Sequence, residues 1–160
     1  MKKPGSNNYT KKEALSVITR ICSKKEICSF EAIEKLNNWG ISDPDSQEII
    51  DYLFKEKYID DLRYATHYAS DKFRFNKWGK YKIANALKLK RLPEYIIANA
   101  LDLLSKDDYR LLLREELTKK IRNLPKSSTY EIKGKLYRFA ASRGYENDLI
   151  MDIINELLEK

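Results

Sequence analysis

From Lys72 to Arg91 the chain contains no aspartate and no glutamate. Other shortages frame that one. Five glycines and four prolines in 160 residues are too few breakers for a turn-rich β-protein. With abundant Leu, Ile, Lys, Glu and Ala, the balance argues for helices. Cysteine occurs only at Cys22 and Cys28, and histidine only at His67, so Cys and His alone cannot complete a four-ligand zinc site. Reduced, packed thiols are expected, not a disulfide, and His67 is expected at or near the surface. No apolar run approaches the roughly 20 residues of a transmembrane helix. The lysines of the N-terminal MKKPGSNNYT precede no apolar signal core, so a cytoplasmic protein without membrane contact is expected. Absent too are G-x-x-x-x-G-K-[ST], G-x-G-x-x-G, G-x-S-x-G and any recognisable Cys/His nucleophile pair. The expectation is a protein that is not an enzyme and has no cofactor and no metal.

What is present is helical periodicity. Residues 1–9 read as a loose basic tail. Thr10 and Glu13 have the form of a capping box, followed by Ala14, Leu15, Ile18, Ile21 and Cys22 on one face. A second helix from Ser29 to Trp39 turns Phe30, Ile33 and Leu36 inward and stops at Gly40. A third begins near Pro44 with Ile49, Ile50, Leu53 and Phe54 as its core side. The pattern then restarts at Asp60, with Leu62, Ala65, Ala69 and Phe73, breaks at Trp78-Gly79, resumes from Lys80 with Ile83 and Leu87, and continues behind Pro93. A last cycle opens at Asp107 or Asp108 with Leu111, Leu112, Leu117 and Ile121. Its second helix starts at Ser128 or Thr129, and its third runs from about Glu146 to Leu158.

These cycles superimpose. Ile41, Leu92 and Tyr145 align at steps of 51 and 53 residues. Five before them stand Leu36, Leu87 and Ala140, and nine before them Ala32, Ile83 and Leu136. Eight after stand Ile49, Ala100 and Ile153, and twelve after Leu53, Leu104 and Leu157. Every one is apolar, which points to an all-α chain of three tandem three-helix repeats. The expected units are 10–58, 59–104 and 105–160, forming an elongated, curved array in which each unit packs on its neighbour.

The whole net charge of +7 resides in the acid-free stretch, because the remaining chain carries −1. Its bases are Lys72, Arg74, Lys77, Lys80, Lys82, Lys88, Lys90 and Arg91, with Phe73, Phe75, Trp78 and Tyr81 threaded among them. Solubilising faces normally mix signs, so this one reads as a contact surface for a polyanion or an acidic protein. On a helix from Lys80, residues Tyr81, Lys82, Asn85 and Lys88 lie opposite Ile83, Ala84 and Leu87, with Leu89 also outward. Asp60 and Asp61 read as an N-cap and a first-turn acid, not as an acid–base pair. Trp78 reads as inter-helix packing. By unit, residues 1–58 carry +1, 59–104 carry +4 and 105–160 carry +2, so the middle unit is expected to carry the main contact.

At Asp61-Leu62-Arg63-Tyr64-Ala65 the chain resembles the RecX family of recombinase regulators, whose middle repeat opens on D-x-x-[FY]-A. The family's next element, G-x-x-[KR]-I-x-x-x-L-x-x-K-G-[IL], reads here as Gly79, Lys82, Ile83, Leu87, Lys90, Arg91 and Leu92, with Arg91 where the family has Gly. The resemblance implies a non-enzymatic regulator that binds the RecA–DNA filament; separately, a monomer is expected. The resemblance also implies inhibition of RecA ATPase and strand exchange in DNA repair, recombination and the SOS response. The contact residues expected are Arg63, Lys72, Arg74, Lys77, Lys80, Tyr81, Lys82, Lys88, Lys90 and Arg91, meeting RecA and, through weak electrostatic binding, single- and double-stranded DNA. Asp60, Asp61, Tyr64, Ala65, Trp78, Gly79, Ile83 and Leu87 are expected to shape the fold beneath them. The alternative is a helix-turn-helix-type DNA-binding protein acting without RecA, since three-helix units with one basic helix also read grooves.

Overall fold

A computed structural model describes residues 8–159. The described residues form nine α-helices and no strand: α1 (Lys11–Lys24), α2 (Ser29–Asn38), α3 (Asp43–Lys55), α4 (Asp61–Asn76), α5 (Lys80–Leu89), α6 (Glu94–Asp102), α7 (Lys106–Asn123), α8 (Thr129–Ser142) and α9 (Asn147–Leu158). Most of the expected basic tail, residues 1–7, lies outside the described residues. Tyr9, the last residue of that expected tail, is not loose: it packs on the first unit's core and sets its ring edge-on to Trp39 at 5.2 Å.

Local chemistry explains where the helices start and stop. Thr10 and Glu13 make the reciprocal capping box. Ser42, Asp60, Ser105 and Ser128 each accept a hydrogen bond from the backbone N–H three residues on, contacts worth about 1 kcal/mol apiece. The cap of α7 is thus Ser105, and Asp107 and Asp108 fall in its first turn, where the unpaired amides favour negative charge. The second helix of each unit is followed by a left-handed residue: Gly40 at φ 77°, Arg91 at φ 55° and Gly144 at φ 91°. Glycine adopts that region freely, whereas a residue with a Cβ is strained there by about 1 kcal/mol. The Arg91 guanidinium lies 4.9 Å from the centre of the Phe30 ring, a contact worth about 0.5–1 kcal/mol at an exposed site. Backbone strain outweighs that contact. Arg91→Gly is therefore expected to raise stability by at most about 0.5 kcal/mol in a denaturant melt; a loss of about 1 kcal/mol or more would show that the ring contact dominates.

The repeat alignment describes the core well. Of its fifteen positions all are buried except Leu104 and Leu157, which are half-buried. The interior divides unequally. Ala14, Ile18, Leu36, Ile49, Leu53 and their neighbours form one cluster across α1–α3. A second, larger cluster runs without interruption through α4–α9 and takes in only Cys28 and Phe30 from the first unit. Four residues expected inside are exposed: Ile33, Phe54, Leu62 and Leu111. Each sits at the edge of an apolar face, where Ala32, Leu53, Ala65 and Leu113 point inward in its place. Both cysteines are free, and burial pushes both thiols up, so each is a packing group and not a reactive thiolate.

Candidate interaction surface

The acid-free stretch comprises the end of α4, a three-residue turn and all of α5. The helix α4 stops because Lys77 turns left-handed at φ 61°, its ammonium folding back to the Arg74 carbonyl at 2.8 Å. Trp78 follows, half-buried and packed on the larger core. Its indole is flanked by two cations, the Lys72 ammonium 5.0 Å and the Lys82 ammonium 4.9 Å from the ring. Lys72 also sits 5.4 Å from the Tyr68 ring, and Lys80 5.2 Å from Tyr109. Arg74 stands 5.7 Å from Phe75, which is 73% exposed. Along α5, Ile83 and Leu87 are fully buried, whereas Tyr81, Lys88 and Leu89 are exposed. None of Lys72, Arg74, Lys77, Lys80, Lys82, Lys88 or Arg91 forms an ion pair among the described residues. Their charges meet rings, backbone or solvent.

Gly79 is buried for a reason its φ of −82° does not explain. A Cβ there would stand 2.5 Å from the Gly144 carbonyl oxygen, and one on Gly144 would stand 2.5 Å from the Lys82 backbone nitrogen. Two backbones cross at this point. The Gly79 N–H donates to the Arg143 carbonyl at 2.7 Å and the Tyr81 N–H to the Gly144 carbonyl at 2.9 Å. The Tyr145 hydroxyl donates to the Lys77 carbonyl at 3.0 Å. Tyr109 completes the seam, accepting from the Lys80 N–H at 2.9 Å and donating to Glu146 at 2.6 Å. Burial first, then the bond to Glu146, pushes its phenol well above the ordinary range. The middle and third units are therefore joined by apolar packing and crossed backbone.

The first and middle units meet with less apolar packing, around Cys28 and Phe30, and with more polar side chains. Asp60 caps α4 by accepting from the Arg63 N–H at 2.9 Å. Asp61 reaches across to α2, accepting from the Ser29 N–H at 2.8 Å and the Ser29 hydroxyl at 2.6 Å. It caps a helix whose own N-cap residue, Cys28, makes no side-chain bond. Tyr64 donates to Glu31 at 2.9 Å, burial and that bond raising its phenol, while Ala65 is fully buried beneath. The Asp-x-x-Tyr-Ala motif is thus a latch between units. Two of the expected contact cations serve the same junction: Arg63 pairs with Glu26 at 2.9 Å and Lys90 with Glu31 at 3.0 Å. Each acid raises the pKa of its basic partner. Sequence reasoning missed Ser29, Glu31, Tyr109 and Glu146 as junction residues. One signal was available, because Tyr64 and Tyr109 are each the fourth residue of the first helix in their unit.

Two family models match the chain: "RecX, second three-helix domain" over residues 60–101 and "RecX, third three-helix domain" over 107–154. A curated Regulatory protein RecX of Clostridium acetobutylicum is 31% identical over 156 residues, covering 95% of this chain and 70% of the relative. The protein of the same name from Clostridium botulinum is 33% identical over 127 residues, covering 78% of this chain. The match spans 59% of that relative's length. Among solved structures, RecX from Lactobacillus salivarius superimposes with a TM-score of 0.82 at 23% identity, covering 92% of this chain and 96% of the other. A crystal structure of a regulatory protein RecX gives 0.77 at 20% identity over 89% and 70% of the two chains. At these identities the structures speak for the fold.

Proposed function

The chain belongs to the RecX family of regulatory proteins, and from that premise we propose that it docks on a RecA–DNA filament through the basic side of its middle unit. There it restrains RecA ATPase and strand exchange without doing chemistry of its own. Bridging neighbouring protomers and neutralising phosphate or acidic protein would oppose the subunit movements that ATP turnover needs.

The observation that carries this reading is the placement of unneutralised cations at the start of α5. Every other helix among the described residues has an acid in its first turn, and α5 has none. In its place stand Lys80 and Lys82. A cation beside a helix N-terminus costs about 0.3–1 kcal/mol, so the arrangement favours a ligand over the stability of the free protein. Lys72, Arg74, Lys77, Lys80, Lys82, Lys88 and Arg91, with Tyr81 among them, form the proposed contact. Arg63 and Lys90, each committed to an acid in the first unit, act by holding that unit in place.

The test is a titration of labelled single- and double-stranded DNA at physiological salt, with and without RecA. Salt-sensitive binding that is weak alone and tightens on a RecA filament is the expected result. Tight, sequence-selective duplex binding by the protein alone would replace this reading with an autonomous groove binder.

A further inference from the structure

A second set of ring-held cations includes Arg143, the chain neighbour of Gly144 at the crossing. The Lys120 ammonium stands 5.3 Å and the Arg143 guanidinium 5.0 Å from the centre of the Phe139 ring, as Lys72 and Lys82 flank Trp78. Neither forms an ion pair among the described residues. The two sets are adjacent: Arg143 donates to the Asn76 carbonyl at 3.3 Å, and its neighbour Gly144 lies against Lys82. Between Thr118 and Arg143 the chain holds eight bases and a single acid, Glu131. The third unit's modest net charge hides this run, because its acids are gathered toward the two ends of the unit.

We propose that these two sets form one strip, in which Lys120 and Arg143 of the third unit continue the surface of Lys72, Lys80 and Lys82 to hold a single nucleic-acid strand by successive phosphates. The inference rests on the reading of the middle unit as a contact surface and extends that surface to named residues of a second unit. Cations seated over rings keep their full charge for phosphate, because no carboxylate neutralises them. Tyr81, 60% exposed and next to Lys82, offers a ring on which an unpaired base can stack, a mode that favours single strands over a duplex or an acidic protein face. Apolar packing and crossed backbone at the seam hold the two halves in fixed register. A strand that meets one half is therefore presented to the other.

The experiment is fluorescence titration of the full chain with labelled thirty-nucleotide oligo-dT over a salt series, without RecA. Lys120→Gln/Arg143→Gln should lower the slope of log affinity against log salt by about 1.4, two contacts at about 0.7 each for a single strand, and weaken binding roughly tenfold at moderate salt. Arg143→Lys keeps the charge and should keep the slope, which separates phosphate contact from the bond to Asn76. Arg110→Gln/Arg114→Gln removes as much charge from cations paired with Glu156 and should leave the slope unchanged. An unchanged slope in Lys120→Gln/Arg143→Gln, or an equal loss in Arg110→Gln/Arg114→Gln, overturns the proposal. So does a duplex that binds as tightly as the single strand with Tyr81→Ala without effect on either. If Lys120→Gln/Arg143→Gln binds DNA normally but loses its hold on RecA, the strip meets protein and the nucleic-acid assignment is wrong. The middle-unit reading is tested apart from this, by mutation of Lys80 and Lys82.

Discussion

Gly79→Ala is expected to destabilise the protein by about 3–4 kcal/mol, a large fraction of the 5–15 kcal/mol that holds a domain of this kind together. The added methyl has nowhere to go, because the atoms it meets are the carbonyl of Gly144 and the nitrogen of Tyr145, backbone that moves only if the third unit moves. Separation there also breaks the Gly79 and Tyr81 hydrogen bonds to Arg143 and Gly144, each worth about 1 kcal/mol net. Gly134→Ala supplies the contrast within the same chain. Gly134 lies inside α8, and a Cβ on it meets only the flexible end of Arg138, at 3.2 Å. Alanine should stabilise that helix by about 1 kcal/mol. Denaturant melts that place the two changes on the same side of wild type would contradict a crossing of backbones at Gly79.

Asp61→Ala is expected to cost about 3 kcal/mol or more, with the loss concentrated between the first and middle units. Its carboxylate accepts from both the backbone and the hydroxyl of Ser29, and hydrogen bonds to charged groups are worth about 1.5–3 kcal/mol each where partly buried. The N-cap residue of α2, Cys28, supplies no side-chain bond of its own among the described residues. Because the first unit has its own core and meets the middle unit with less apolar packing and more polar contacts, hydrogen exchange should accelerate in α2 before it does in α7–α9. Uniform acceleration from α1 through α9 would show instead that the three units unfold together.

The difference between those seams bears on what the sequence could reveal. Apolar spacing at steps of 51 and 53 residues located the units' shared core, because burial imposes the helical period wherever a face is covered. The same spacing cannot tell a covered face from a bare one. Phe54, Leu62 and Leu111 continue apolar faces whose outer edge nothing among the described residues covers, and they are exposed. The left-handed demand at Gly40, Arg91 and Gly144 was visible at two of three positions, and Arg91 meets it at the expense of strain. Charge pairing was hidden for another reason. Whether Arg63 and Lys90 are free depends on Glu26 and Glu31, residues brought alongside only by the packing of one unit on the next. Averaging charge over whole units concealed the Thr118–Arg143 run in the same way, since its compensating acids lie toward the two ends of the third unit. The role of Asp61 was half legible. Its place in a first turn was clear, and its reach to Ser29 needed the fold.

The central claim is that the unneutralised cations of the middle unit engage the RecA filament. The most direct measurement is a titration of RecA ATPase on single-stranded DNA with wild-type protein and with Lys80→Glu/Lys82→Glu. Acids at these first-turn positions suit the helix end better than lysines do, by about 0.3–1 kcal/mol each, so helicity and melting temperature should hold or rise. Inhibition should then require at least roughly tenfold more protein, as expected for two lost and reversed charge contacts. A well-folded double variant that inhibits at wild-type concentrations would contradict the account.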